Sequence, residues 1–229
     1  MARMVVIAGP PGSGKSTAFP ASETGFESFN ADDRSAALNG GSYQNLTEEI
    51  RAKVNREFEH FVSEHIQSAA SFAFETTLRT DITVQQARLA RRRGFSTLMM
   101  YVGVDGVEEC IRRVQIRAQA GGHSAPPDVL RDIYRASLEN LAEAIRAFDA
   151  VLLYDNSWFD EIPELVLVTI KGRIVARHYD PPGWMRMALG QKLLFSRIAE
   201  KIFFRHVQCI TYRDSQAAIR GRNSETRGA

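Results

Sequence analysis

Cysteine is nearly missing from this chain, with only Cys110 and Cys209 among its 229 residues. Two thiols so far apart, with no export signal ahead of them, read as reduced side chains rather than a disulfide. No apolar run approaches the roughly 18 residues a membrane-spanning helix needs. The opening MARMVVIAGPP has neither the apolar core nor the small-residue cleavage site of a secretory signal. These absences lead us to expect a cytoplasmic protein. Internal repeats are also absent.

Net charge is small, +2 from 29 Lys/Arg and 27 Asp/Glu, but it is unevenly spread. Gly183 to Ala229 holds nine basic and three acidic residues, a net of +6, and the remainder holds 20 basic and 24 acidic, a net of −4. A body of that sign is not a nucleic-acid binder. What is present is ordinary for a globular domain, 44% hydrophobic and 24% charged residues, enough for one substantial core.

Apolar runs at Met4–Ala8, Phe26–Phe29, Ser71–Phe74, Phe95–Val104 and Ala150–Asp155 predict buried strands. Helical periodicity separates them over 47–70, 83–93, 107–118 and 128–148, with Thr47 as an N-cap and Gly94 closing the second. Leu165 to His178 predicts a hairpin turning at Lys171-Gly172. Strands alternating with helices predict an α/β fold, a central parallel sheet of about five strands with helices on both faces, extended by the hairpin. Ligands of such sheets bind at the carboxyl ends of the strands, here Gly9–Thr17, Asn30–Asp33, Glu75–Arg79 and Asp155.

The segment Gly9-Pro10-Pro11-Gly12-Ser13-Gly14-Lys15-Ser16, followed by Thr17, fits G-x-x-x-x-G-K-[ST] between a predicted strand and a predicted helix. Backbone N–H groups and a helix start bind the phosphates of a nucleotide such as ATP; Lys15 reaches the β- and γ-phosphates, and Ser16 suits Mg²⁺. The guanine-reading N-K-x-D tetrapeptide is missing, which sets a GTPase aside. Asp32, at the end of the second strand, could take the proton of an acceptor hydroxyl, or it could cap the next turn. Glu75 and Asp155 each follow an apolar strand in the manner of a Walker B acid. Glu75, with Thr76 and Thr77 beside it, is the better candidate, and Asp155 suits a cap of the DNSW turn. Arg113 and Arg117 share a helix face before the glycine loop at Gly121-Gly122, as in a lid over about 112–135 that closes on transferring phosphates. Arg112 reads as solvated, and His123 is a weaker candidate in the loop itself.

Taken in order, GPPGSGKST, FNADD, FAFETTLRT, RVQIRAQAGGHSAPP, RASLENL and YDNS resemble the zeta-toxin family of P-loop kinases, more narrowly its chromosomal bacterial branch, over about Met4–Trp184. The resemblance implies a P-loop kinase fold and Mg-ATP-dependent phosphorylation of a sugar hydroxyl of UDP-N-acetylglucosamine or a related nucleotide sugar. It casts Asp32 as the catalytic base, Lys15 and Ser16 as nucleotide and magnesium ligands, and Arg117 as the first lid arginine. Glu75 and Thr77, followed by Arg79, match the acceptor-binding segment. It also implies an antitoxin protein as partner. The chain departs from the toxin pattern at His123, where a second lid arginine is expected, and at Thr76, which replaces a glycine. A histidine is only partly charged at neutral pH, so its clamp on phosphate is weaker.

Residues 1–184 are thus expected to form the kinase domain and 185–229 a C-terminal extension. Within the extension, Leu193 to Val207 suits a basic helix packed on the body or, less favoured, contacting anionic lipid or a partner. Ser215–Ala229 suits a frayed end. Competing readings are a kinase of another sugar, nucleoside or nucleic-acid end, and a nucleotide-binding regulator that transfers nothing.

Overall fold

The structure is a computed structural model and describes residues 1–122, 124–158 and 161–194. They fall in one compact unit, Met1–Ser196. Most of the expected basic helix and all of the expected frayed tail lie outside the described residues.

Among the described residues seven strands make one sheet: β1 (Arg3–Ala8), β2 (Glu27–Phe29), β3 (Phe72–Thr76), β4 (Ser96–Gly103), β5 (Ala150–Asp155), β6 (Glu164–Ile170) and β7 (Arg173–Arg177). Their order is β2-β3-β1-β4-β5-β6-β7. The first five run parallel, as expected, and the β6–β7 hairpin joins the edge of the same sheet antiparallel to β5. Lys171 and Gly172 both take positive φ (49° and 73°) at the hairpin turn, the twist that tight hairpins favour.

The continuous apolar text of β1 has a simple cause, since the strand is covered on both sides. Met4, Val6 and Ala8 join Phe72, Phe74, Met99, Tyr101 and Leu153 in the main core. Val5 and Ile7 face the other way, with Ala21 and Ala73 under Phe19 and Phe26. The helices are α1 (Lys15–Ala18), α2 (Ala31–Leu38), α3 (Glu48–Ser68), α4 (Ile82–Arg92), α5 (Val107–Gln119), α6 (Pro127–Ala147) and α7 (Gly183–Leu194). Apolar stripes on α3 (Phe61, Val62, Ile66), α4 (Val84, Ala87) and α6 (Leu138, Leu141, Ile145) close over the main core. Leu141 is fully buried, and truncation of such a side chain to alanine costs about 2–5 kcal/mol.

Local chemistry sets the helix ends. Thr47 Oγ1 accepts from Ile50 N at 3.3 Å at the start of α3, and Pro127 opens α6 where its missing N–H costs nothing. Trp184, Met185 and Leu189 of α7 are buried against the body, and the helical path breaks at Gly190 (φ 66°, ψ 162°). Two features were not expected from the sequence. Helix α2 has only Ser35 and Ala36 buried, so it carries no apolar stripe to announce it. Strand β3 runs on through Glu75 and Thr76, which pair with Ile7 and Ala8, so the acid lies within the ladder rather than after it.

Candidate functional site

The glycine loop leaves β1 at Ala8 and enters α1 at Lys15. It is wedged among three other segments. A Cβ at Gly9 would overlap the carbonyl oxygen of Val102, and one at Gly12 would overlap that of Cys110, and both residues hold positive φ (140° and 77°). No side chain fits at either position. A third contact is polar, with Asn156 Nδ2 donating to Ser13 O at 2.8 Å. Asn156 is held in turn by Arg113, which donates to the carbonyls of Asn156 (2.9 Å) and Ser157 (3.2 Å) and to Glu109 Oε1 (2.6 Å). Arg113 is therefore a brace between α5 and the loop after β5, whereas Arg112 pairs with Glu109 on the more exposed side.

Lys15 Nζ donates to Pro10 O at 3.3 Å. Burial of the ammonium holds its pKa below the ordinary lysine value, and Arg117 pushes the same way. Glu75 and Asp32 oppose that shift. Charges from three other segments thus act on Lys15: two carboxylates, from β3 and α2, and a guanidinium from the last turn of α5. Such a centre has cation enough for phosphate and carboxylate enough for a proton.

Ser16 Oγ donates to Glu75 Oε2 at 2.6 Å. A hydroxyl and a carboxylate side by side are the hard oxygen donors Mg²⁺ takes when phosphates complete its shell, so these residues fit the ion. Asp32 stands at the start of α2, but Asn30 does the capping, its Oδ1 accepting from Asp32 N (2.9 Å) and Asp33 N (3.3 Å). Among the described residues no hydrogen bond or ion pair engages the Asp32 carboxylate. Asp33 accepts instead from Tyr43 Oη at 2.9 Å.

The other sequence candidates are distributed as follows. Thr76 Oγ1 accepts from Leu78 N at 3.1 Å and so shapes the turn after β3, where Leu78 takes φ 57°. Thr77 is half-buried and Arg79 exposed on that turn. Gly122 N donates to Arg117 O at 2.9 Å, so Gly122 folds back on the last turn of α5. Helices α5 and α6 share a small core of their own, Ile111, Val114 and Leu130. Asp155 is occupied, its Oδ1 accepting from Ser157 Oγ (2.5 Å) and Trp184 Nε1 (2.9 Å), the turn-holding role expected of it. His123 lies outside the described residues. Sequence reasoning missed Asn156 and Tyr43, whose partners lie 143 and 10 residues away and leave no local pattern.

A family model described as an AAA domain, AAA_33, matches residues 4–141. An uncharacterized protein of Haemophilus influenzae is 30% identical over 76 residues, 33% of this chain and 51% of the relative, so the match spans about half of that curated protein. Among solved structures, the AvrRxo1-ORF1:AvrRxo1-ORF2 complex with sulphate ions superposes with a TM-score of 0.64 at 15% identity. The match covers 96% of this chain and 76% of that one. The same pair crystallised with ATP gives 0.62 at 13% identity, with the same coverage. A structure from the PezAT chromosomal toxin–antitoxin system of Streptococcus pneumoniae gives 0.50 at 14% identity, over 98% of this chain and 88% of that one. At these identities the likeness is one of fold, and it is the zeta-toxin-like P-loop kinase fold to which the sequence motifs point. Among the described residues no helix is long and apolar enough to cross a membrane.

Proposed function

We propose that this chain, which belongs to the AAA-domain family AAA_33, is an ATP-dependent kinase acting on a hydroxyl of a small molecule, with UDP-N-acetylglucosamine or a related nucleotide sugar as the acceptor. The observation that carries the reading is a complete phosphate loop whose Ser16 Oγ donates to Glu75 Oε2 at 2.6 Å, with the charges of Asp32 and Arg117 acting on the buried Lys15. A nucleotide switch needs the loop but has no use for a carboxylate such as that of Asp32, which no hydrogen bond or ion pair engages among the described residues, whereas transfer to a hydroxyl does.

In this reading the loop N–H groups and Lys15 hold the β- and γ-phosphates. Ser16 and Glu75 would hold Mg²⁺, which supplies charge neutralisation at the phosphates when bound. Asp32 receives the proton of the acceptor hydroxyl as its oxygen bonds to the γ-phosphorus. The bond from that phosphorus to the bridging oxygen breaks, and ADP leaves with the electron pair. Arg117 balances the charge that spreads over the phosphoryl oxygens. Thr76, Thr77 and Arg79 form the acceptor side together with Glu75, and His123 is assigned there by its place in the sequence. The setting is the cytoplasm. The PezAT structure comes from a toxin–antitoxin system, and by that analogy the protein partner is an antitoxin.

The test is incubation with Mg-ATP and a panel of nucleotide sugars, free sugars and nucleosides, with products read by mass spectrometry. Wild type is expected to yield a phosphorylated sugar, and Asp32→Asn to lose roughly 10²–10⁴-fold in kcat. Lys15→Ala is expected to lose nucleotide binding as well. Tight ATP binding with no product from any acceptor would refute transfer, and full activity in Asp32→Asn would refute the base.

A further inference from the structure

Gly103 and Asp155 pair at the last step of the β4–β5 ladder, and Trp184 lies against both. A Cβ at Gly103 would come within 2.4–2.6 Å of the indole ring, and the indole Nε1 donates to Asp155 Oδ1 at 2.9 Å. The ring is fully buried and packs on Tyr101 as well, with centroids 5.6 Å apart. The backbone at this point is also fixed. Asp105, just beyond β4, accepts from Gly183 N (3.0 Å) and Trp184 N (2.5 Å), so a carboxylate meets two of the N–H groups that the start of α7 leaves open.

The phosphate loop rests on the residues next to this pair. Gly9 crowds the carbonyl oxygen of Val102, which precedes Gly103, and Asn156, which follows Asp155, donates from Nδ2 to Ser13 O. Gly14 lies against the same amide, since a Cβ there would come within 2.4 Å of Asn156 Nδ2. Asn156 N in turn donates to Gly103 O at 2.9 Å. Asp155 Oδ1 also accepts from Ser157 Oγ (2.5 Å), and Ser157 Oγ accepts from Asp105 N (2.8 Å), which closes the circle of contacts. The segment after β5 therefore touches the phosphate loop on one side and the start of α7 on the other.

We propose that Trp184 is a positioning residue for nucleotide binding: by holding Asp155 it sets Asn156 against Ser13, so the seating of the start of α7 and the affinity of the phosphate loop are coupled. The inference rests on the donor half of the kinase reading, nucleotide binding at Lys15 and its loop, and not on transfer to any acceptor. Coupling of this kind is reciprocal. Bound nucleotide holds the start of α7 more firmly, and whatever draws Trp184 from Asp155 lowers nucleotide affinity.

The experiment is calorimetric titration of the full chain with Mg-ADP, beside urea unfolding of each variant. Trp184→Phe keeps a ring against Tyr101 and Gly103 but removes the donor, and it is expected to weaken the Kd roughly fivefold. Asp155→Ala removes the acceptor instead and is expected to weaken binding at least as much. Leu189→Ala truncates a buried side chain further along the same helix. It is expected to lower the urea midpoint more than Trp184→Phe does, yet to leave the Kd within about twofold of wild type. On an Asn156→Ala background, Trp184→Phe is expected to add less than about twofold, because the contact it supports is gone. An unchanged Kd in Trp184→Phe and Asp155→Ala would overturn the coupling. So would a Kd that follows the urea midpoint in all variants, or a Trp184→Phe loss that persists in full without the Asn156 amide. Each of these leaves the kinase reading standing as long as wild type binds Mg-ADP, whereas a wild type that binds none would overturn both.

Discussion

Asn156→Ala is the sharpest perturbation of the donor site, because it removes one bond and leaves the phosphate-loop motif intact. Its Nδ2 donates to Ser13 O across 143 residues of chain, in a partly buried setting. Loss of such a bond costs about 1 kcal/mol net, and about 1–3 kcal/mol where the acceptor is left without a partner. We expect unfolding in urea to lose about 1–2 kcal/mol and the Kd for ATP to weaken roughly tenfold. Arg113 bonds the backbone carbonyls of Asn156 and Ser157, so its contacts survive the substitution. Arg113→Ala releases the same loop from the opposite side, and its own loss should exceed that of Asn156→Ala because charged donors are stronger. Since both act through one loop, the double variant should lose less than the sum, with a coupling of about 0.5–3 kcal/mol. Additive stabilities together with an ATP Kd within about twofold of wild type would refute the brace.

Other expectations are more local. Gly12→Ala drives a Cβ into the Cys110 carbonyl at φ 77°, so it should cost about 2–4 kcal/mol in urea unfolding and weaken nucleotide binding, whereas Gly25→Ala, with open space around it, should cost only its positive-φ strain, about 1–2 kcal/mol. Hydrogen bonds from Arg112 and Arg113 hold the Glu109 carboxyl down to about 2, against burial, which acts the other way. A depressed carboxyl contributes stability that is present above its unfolded value near 4.5 and is lost as pH falls toward 2. Acid titration of Glu109→Gln should therefore show a shallower decline between about pH 4.5 and 2 than wild type, and an unchanged slope would contradict the pairing. Burial pushes the Cys110 thiol up to about 12, so alkylation at pH 8 followed by peptide mapping should leave Cys110 unmodified until the chain is denatured.

Where a residue's role is set by its near neighbours in sequence, the role could be read from the sequence. The central parallel strands announce themselves because they are covered on two sides and so are largely apolar, as β1 shows with Met4 and Val6 facing one way and Val5 and Ile7 the other. Helix α3 is equally plain, since Thr47 caps it and its stripe repeats at helical spacing. Helix α2 was missed for the converse reason. It buries little, and its main structural signal is Asn30, a cap that also reads as an ordinary turn residue.

The site divides along the same line. The phosphate loop is a contiguous motif, and its geometry follows from glycines that neighbouring carbonyls crowd. The choice between base and cap for Asp32 could not be made from FNADD alone, because either aspartate or Asn30 can cap. Only the placement of Asn30 Oδ1 at 2.9 Å from Asp32 N leaves the aspartate carboxylate unassigned. Glu75 shows the opposite case. The resemblance casts it toward the acceptor, while the 2.6 Å bond from Ser16 Oγ sets it against the phosphate-loop helix. One carboxylate at the junction of the two half-sites can feel both, and Lys15, which interacts with Glu75 and Asp32 alike, sits at that junction. In the proposed reading, donor and acceptor sides are therefore not separate pockets joined by chance. They share a charge balance around Lys15, so a substitution that removes either carboxylate should alter nucleotide affinity as well as acceptor use.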